Sequence, residues 1–281
     1  MKGLPRLDGL VWVITGLGAL TAGIGILVSA FVEVLDGGDE AIDLVWPGLL
    51  ALGVGGLLLV SSSFPDRVST AGAFAAVAWS WVVVSLLGDV PFVATGTLPV
   101  WHEALFESES GFTCSGSPVL AGIEGQGAGV LFWRSMTQWL GGMGLVVLAV
   151  AVFPLLRVGG LELISAEAPG PETDRLSPRI RDTAKRLWQV YFALTVAIAA
   201  ALMAAGMSLF DGITHAFAAA STGGFSPRNS SIGTYDSVAI EVILIVALVI
   251  GGASFTLHYR ALRGALGVSR RVTEARLYGI V

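Results

Sequence analysis

Two stretches of this chain repeat a set of residues that could do chemistry, WHEALFESESGF from Trp101 and THAFAAASTGGF from Thr214. At an offset of about 113 residues they pair His102 with His215, Gly111 with Gly224 and Phe112 with Phe225. One chemistry they suggest is nucleophilic, with Ser221 near His215 or Ser110 near His102 as nucleophile and base in an intramembrane enzyme. Each His would have to reach its Ser across more than one helical turn, and duplication argues against an enzyme. The other chemistry needs only backbone. A short helix ending in a Gly-containing loop carries about half a negative charge at its carbonyl end and favours a cation there.

The surroundings of these stretches are apolar. Of 281 residues, 54% are hydrophobic and 13% charged, against roughly 25% charged in soluble domains. A bilayer core about 30 Å thick needs about 20 apolar residues per helix. Six runs qualify, Leu10–Val32, Leu44–Ser63, Ser69–Gly88, Gly129–Leu156, Leu187–Met207 and Val238–Leu262. The stretches Pro99–Ser108 and Gly212–Ser221 are too short to cross. The first run is too long for a signal peptide, although Lys2 and Arg6 precede it.

Charge sets the orientation. With both termini cytoplasmic, the inner segments hold every Lys and Arg except Arg134 and Arg228. The first outer loop holds Glu33, Asp36, Asp39, Glu40 and Asp43 and no base, either as a solvated loop or as a rim that concentrates cations. Net charge is −5, and nothing points to nucleic acid. Cys114 is the only cysteine, which excludes an intrachain disulfide and a cysteine-rich zinc cluster.

Each copy therefore reads as spanning helix, short helix, loop and spanning helix, with Gly141 and Gly142 in the first answering Gly251 and Gly252 in the second. Non-helical backbone at membrane depth survives only where protein buries it or water adjoins it, so two such loops imply a pore. Pro99 is expected in the first turn of one short helix and Asp211 as N-cap of the other. About eleven residues reach roughly 16 Å, half the membrane.

The segments FESESGFTCSGSPVL from Phe106, FWRSMTQWLGGMGLVVLAVAVFPLL from Phe132 and AASTGGFSPRNSSI from Ala219 resemble the TrkH-type potassium-transporter family, and WRSMTQWLGGMG is the most specific string. The resemblance implies an all-α integral membrane protein of repeated helix–pore-loop–helix units, with six spanning helices and two re-entrant pore helices here. Four repeats surround one ion path, each giving a filter strand whose carbonyls replace the ion's hydration shell. Carried over, the filter stretches are Glu109, Ser110, Gly111, Phe112 and Thr113, then Thr222, Gly223, Gly224 and Phe225, with potassium (or sodium) at the carbonyls of Glu109, Ser110, Thr222 and Gly223. Glu107 matches the family pattern as a support for filter backbone. Glu109 departs from it, either as an ion contact or as a carboxylate turned behind the filter, protonated or paired. Cys114–Ser115 replaces two threonines, a small polar change. Gly141, Gly142, Gly251 and Gly252, with Gly144, act as gating hinges or as close-packing points. His102 and His215 read as helix-packing or interface residues, with pH sensing as the lesser alternative.

The expected organisation is two N-terminal helices over 1–67, a first repeat over 68–160, a cytoplasmic loop over 161–180, a second repeat over 181–265 and the start of a truncated third repeat over 266–281, from VTEARLYGIV at Val272. Four strands close a ring and two are present, so the implied partners are a second copy or a complementary half-chain in the plasma membrane. The segment Arg175–Arg186 either docks the nucleotide-binding regulatory ring of relatives or is ordinary inner charge. A secondary transporter of small solutes also uses broken helices, but its repeats are commonly inverted, whereas these run parallel.

Overall fold

The structure, a computed structural model, describes residues 9–62, 70–152 and 176–253. Among these residues every regular element is helical. Helices α1 (Gly9–Asp36) and α2 (Ala41–Val60) form a hairpin. Helix α3 (Thr70–Gly88) breaks at Asp89 and continues as α4 (Val90–Ala94). The short α5 (Trp101–Phe112) precedes the long α6 (Ala128–Val152). Then come α7 (Leu176–Ala204), a second short helix α8 (Leu209–Ala220), and α9 (Val238–Gly252).

Among the described residues four segments are long and apolar enough to cross a membrane, namely Gly9–Asp36, Ala41–Val60, Phe74–Ala94 and Lys185–Ala204. The hairpin's two backbones touch. A Cβ on Gly23 would meet the Gly48 carbonyl oxygen at 2.9 Å, and one on Gly55 the Gly16 oxygen at 2.8 Å. Small residues allow this approach where lipid supplies no hydrophobic drive between helices.

Helix α6 is the central element, packed against α1, α5, α7 and α8. Its fully buried Trp133 donates to the Gly88 carbonyl at 2.9 Å and meets the Phe112 ring edge-on, centroids 6.0 Å apart. Six residues on, Trp139 lies against Phe217 at 5.2 Å, donates to the Thr195 hydroxyl and accepts at its carbonyl from the Tyr191 hydroxyl. Two aromatic anchors thus wedge α6 between the α3–α5 side and the α7–α8 side.

Several boundaries differ from the sequence reading. Helix α1 continues to Asp36, so Glu33 is buried in the helix, accepting from the Gly129 N–H, and does not belong to a solvated acidic loop. The short helices are Trp101–Phe112 and Leu209–Ala220, because Glu107, Ser108 and Ser110, which end an apolar run on paper, are buried with protein partners. Pro99 lies ahead of the N-cap Val100, outside the first turn. Ser208, accepting from the Asp211 N–H, is the N-cap of α8 in place of Asp211. Helix α7 begins at Leu176, inside the expected loop 161–180. The ends of the expected runs at Leu156 and Leu262, most of that loop, the segment 266–281 and most of the basic residues expected on the cytoplasmic side lie outside the described residues.

Candidate functional site

The two short helices end alike, in a register the matching Gly–Phe pairs conceal. Helix α5 ends at Thr113 with φ −82° and ψ −3°, and α8 at Ser221 with −85° and −7°. Thr113 N–H donates to the Glu109 carbonyl, Cys114 to Gly111 and Ser115 to Ser110. The same three bonds recur 108 residues later, from Ser221 to Phe217, Thr222 to Ala219 and Gly223 to Ala218. The offset of 113 is thereby corrected to 108, so Gly116 matches Gly224, Ser117 matches Phe225, and Glu107 matches His215.

After each helix the chain turns through left-handed backbone. Cys114 and Thr222 both have φ +54°, a conformation few non-glycine residues adopt. Gly116 and Gly224 follow at +65° and +87°. Gly116 needs its missing side chain twice over, since a Cβ there would also meet the Gly223 carbonyl oxygen at 2.4 Å. The two turns are therefore neighbours.

The second helix of each unit seats the end of its short helix on a glycine. A Cβ on Gly141 would lie 2.0 Å from the Phe112 carbonyl oxygen; one on Gly251 would lie 3.1 Å from that of Ala219 and 3.3 Å from that of Ala220. Phe112 and Ala220 are equivalent in the 108 register.

Behind the turns lies a buried polar layer on α6. Glu107 and Arg134 form an ion pair at 2.6 Å, with side chains 0% and 2% exposed. The other Glu107 oxygen accepts from the Val119 N–H at 2.6 Å and the Leu120 N–H at 3.3 Å. Arg134 also donates to the Ser226 carbonyl at 2.8 Å, and its guanidinium lies 3.9 Å from the centre of the Phe225 ring. Gln138 accepts from the Phe225 N–H at 3.0 Å. One α6 face thus holds the second post-turn segment directly and the first through Glu107 of α5.

At the other end of those segments the connections fasten to each other. Arg228 donates to both Asp211 oxygens, at 3.1 and 2.8 Å. The Asn229 side-chain oxygen accepts from the Ile123 N–H at 3.0 Å, while its backbone and amide N–H groups donate to the two Glu124 oxygens. Those hydrogen bonds, the Asn229 backbone N–H foremost, hold Glu124 below the usual glutamate range.

Of the sequence-predicted site residues, Thr222, Gly223, Gly224 and Phe225 occupy the second turn and its extended continuation. The first group is displaced. Glu109, Ser110, Gly111 and Phe112 form the last turn of α5, with the carbonyls of the first three already accepting from Thr113, Ser115 and Cys114, and only Thr113 reaches the turn. The segment equivalent to Thr222–Phe225 is Cys114–Ser117. Gly111 packs instead against Thr137, whose hydroxyl would be 2.1 Å from a Cβ. Gly142 lies beside Ser221 and Tyr191, Gly144 beside Trp81, and Gly252 ends α9.

Neither Ser–His pair forms. His102 is exposed against Trp101, and Ser110 accepts from the Ser117 N–H at 2.9 Å. His215 contacts the Ser226 hydroxyl at 3.0 Å while Ser221 donates to the Phe217 carbonyl. Sequence reasoning missed Arg134, Gln138 and the Arg228–Asp211 pair as site residues. A signal existed, since Arg134 and Arg228 are the two bases that the inner-side charge pattern leaves over.

Comparison with known proteins shows the family. The family model for the cation transport protein TrkH matches residues 48–271. The chain belongs to the TrkH family. It is 44% identical over 228 residues to the Trk system potassium uptake protein TrkH of Halomonas elongata, covering 80% of this chain and 46% of that one. It is 41% identical over 237 residues to the protein of the same name from Escherichia coli K12, covering 82% and 48%. The crystal structure of the potassium transporter TrkH from Vibrio parahaemolyticus superposes with a TM-score of 0.84 at 32% identity, over 97% of this chain and 56% of that one. The chain spans about half the length of the curated TrkH relatives it matches. The family is one of membrane cation transporters and not of enzymes.

Proposed function

We propose that this chain contributes two of the four helix–pore-loop–helix repeats of a potassium-uptake pore in the cell membrane, with α3–α6 as the first repeat, α7–α9 as the second and the α1–α2 hairpin preceding them. The observation that carries this reading is the 108-residue repetition of helix end, left-handed turn and glycine, with Gly116 beside the Gly223 carbonyl. Six spans with both termini cytoplasmic fit the charge pattern. The relatives' names supply the ion, potassium.

In this reading the ion-lining strands are Thr113–Ser117 and Ser221–Phe225. Their carbonyls replace hydration water, and the carbonyl ends of α5 and α8 add negative potential at the turns. The base behind them, Arg134, is neutralised by Glu107 and does not oppose the cation. Two strands leave half the ring to be supplied by further repeats, a second copy or a complementary half-chain. A nucleotide-binding regulatory ring would meet the inner face, the side to which the charge pattern assigns the basic segment Arg175–Arg186.

Rubidium uptake into liposomes tests the reading, comparing this chain alone with the same chain joined to two further family repeats. Uptake by the joined chain, abolished by Gly224→Asp, is expected. Uptake by neither would sink it.

A further inference from the structure

The backbone N–H one residue beyond the turn glycine is captured in both units, by unlike means. In the first, Ser117 N–H donates to the hydroxyl of Ser110, a residue of the same unit's short helix, at 2.9 Å. At offset 108 the residue corresponding to Ser110 is Ala218, which has no acceptor. The corresponding N–H, that of Phe225, donates instead to the Gln138 side-chain oxygen, at 3.0 Å, from α6 of the other unit. Gln138 is fully buried, and its amide lies flat on the strand, so that a Cβ on Gly223 would meet its carbon at 2.4 Å. Counting from the paired seats Gly141 and Gly251, the α9 residue matching Gln138 is the half-exposed Leu248, whose side chain has no acceptor to offer in return.

The consequence follows from peptide planarity. In a trans peptide the N–H and the preceding C=O point in opposite directions. Fixing the Phe225 N–H on Gln138 therefore directs the Gly224 carbonyl away from α6, and fixing the Ser117 N–H on Ser110 directs the Gly116 carbonyl away from α5. A Cβ at Gly224 would meet nothing within 4 Å, so the strand adjoins open space at this residue. We propose that Gln138 is a positioning residue for ion selection, holding the Phe225 N–H so that the Gly224 carbonyl faces the ion, the task Ser110 performs within its own repeat. This rests on the pore reading. Without the capture, the Gly224–Phe225 peptide can turn over and present an N–H where a cation needs oxygen.

The test uses the joined four-repeat chain with Gln138→Leu, with and without Ala218→Ser, which places a hydroxyl where the first repeat has one. Hydrogen exchange of the peptide covering residues 222–228 reads the capture, and rubidium against sodium uptake in liposomes reads selection. Q138L should speed exchange at Phe225 and lower the rubidium preference by about tenfold or more, the scale of one orphaned buried N–H, and A218S should restore both. Unchanged exchange and preference in Q138L would overturn the proposal. If Q138L alone does not accumulate, the A218S/Q138L pair decides: accumulation with normal preference supports the capture, and failure to accumulate overturns it. Absence of uptake by the unsubstituted chain would refute the pore reading, while the exchange measurement would still judge the capture.

Discussion

Arg134 and Phe225 are stacked, with the guanidinium carbon 3.9 Å from the ring centroid, although one belongs to α6 and the other to the strand after α8. This contact joins the ion pair of the first unit to the backbone of the second, because the same guanidinium also donates to the Ser226 carbonyl.

Removing one partner of the buried pair should be far worse than removing both. Arg134→Met leaves the Glu107 carboxylate buried without its counter-charge and is expected to cost about 3–5 kcal/mol, whereas E107Q combined with R134M should regain much of that. Thermal unfolding in detergent measures it. Equal losses in the single and double variants would show that Glu107 is satisfied by the Val119 and Leu120 N–H groups alone.

The two registers make opposite predictions for glycine. Gly111→Ala should be partly rescued by Thr137→Ala, since the nearest obstacle is the Thr137 hydroxyl, whereas Gly116→Ala, which meets the Gly223 carbonyl and carries φ +65°, should abolish uptake with no side-chain rescue. The same uptake assay reads both. A tolerated G116A would restore the 113 register.

Gly141→Ala should prevent accumulation in the membrane, because its Cβ would lie 2.0 Å from the Phe112 carbonyl oxygen. Gly251→Ala should cost no more than about 1–3 kcal/mol, the ordinary scale of overpacking, since its nearest atom is 3.1 Å away. Membrane yield and melting temperature separate the two. Equal tolerance would favour a hinge over a seat.

Acid should loosen the clasp between the connections. Hydrogen bonds from Asn229 hold the folded Glu124 carboxyl below the usual glutamate range, so its contribution is fully present above that range and is lost as pH falls through the lowered value. Hydrogen exchange at Ile123 and Asn229 should accelerate in that window and not above it. Glu124→Gln should abolish the pH dependence.

Much of the fold was legible because hydropathy and charge report on lipid directly. The α1–α2 hairpin, the third segment and α7 stand out as apolar runs. The displaced first strand has a physical cause. SGF and GGF look alike as strings, yet Gly111 is a helix residue packed on Thr137, while the turning glycine of the first unit sits between two serines, with no aromatic neighbour to mark it. Polar partners were the least legible. Arg134 and Gln138 could be seen as anomalies within an apolar run, but their partners, Glu107 and the Phe225 N–H, are set by how α6 lies across both units.

Gln138 gives the chain a direction in time. A ribosome delivers α6 before α8, so when the second strand arrives its acceptor is already in place, whereas the first strand carries its own in Ser110. A circular permutant that opens with α7 would insert its strand before the residue that braces it. That newly made segment would be exposed to misassembly during synthesis, a hazard the natural order avoids.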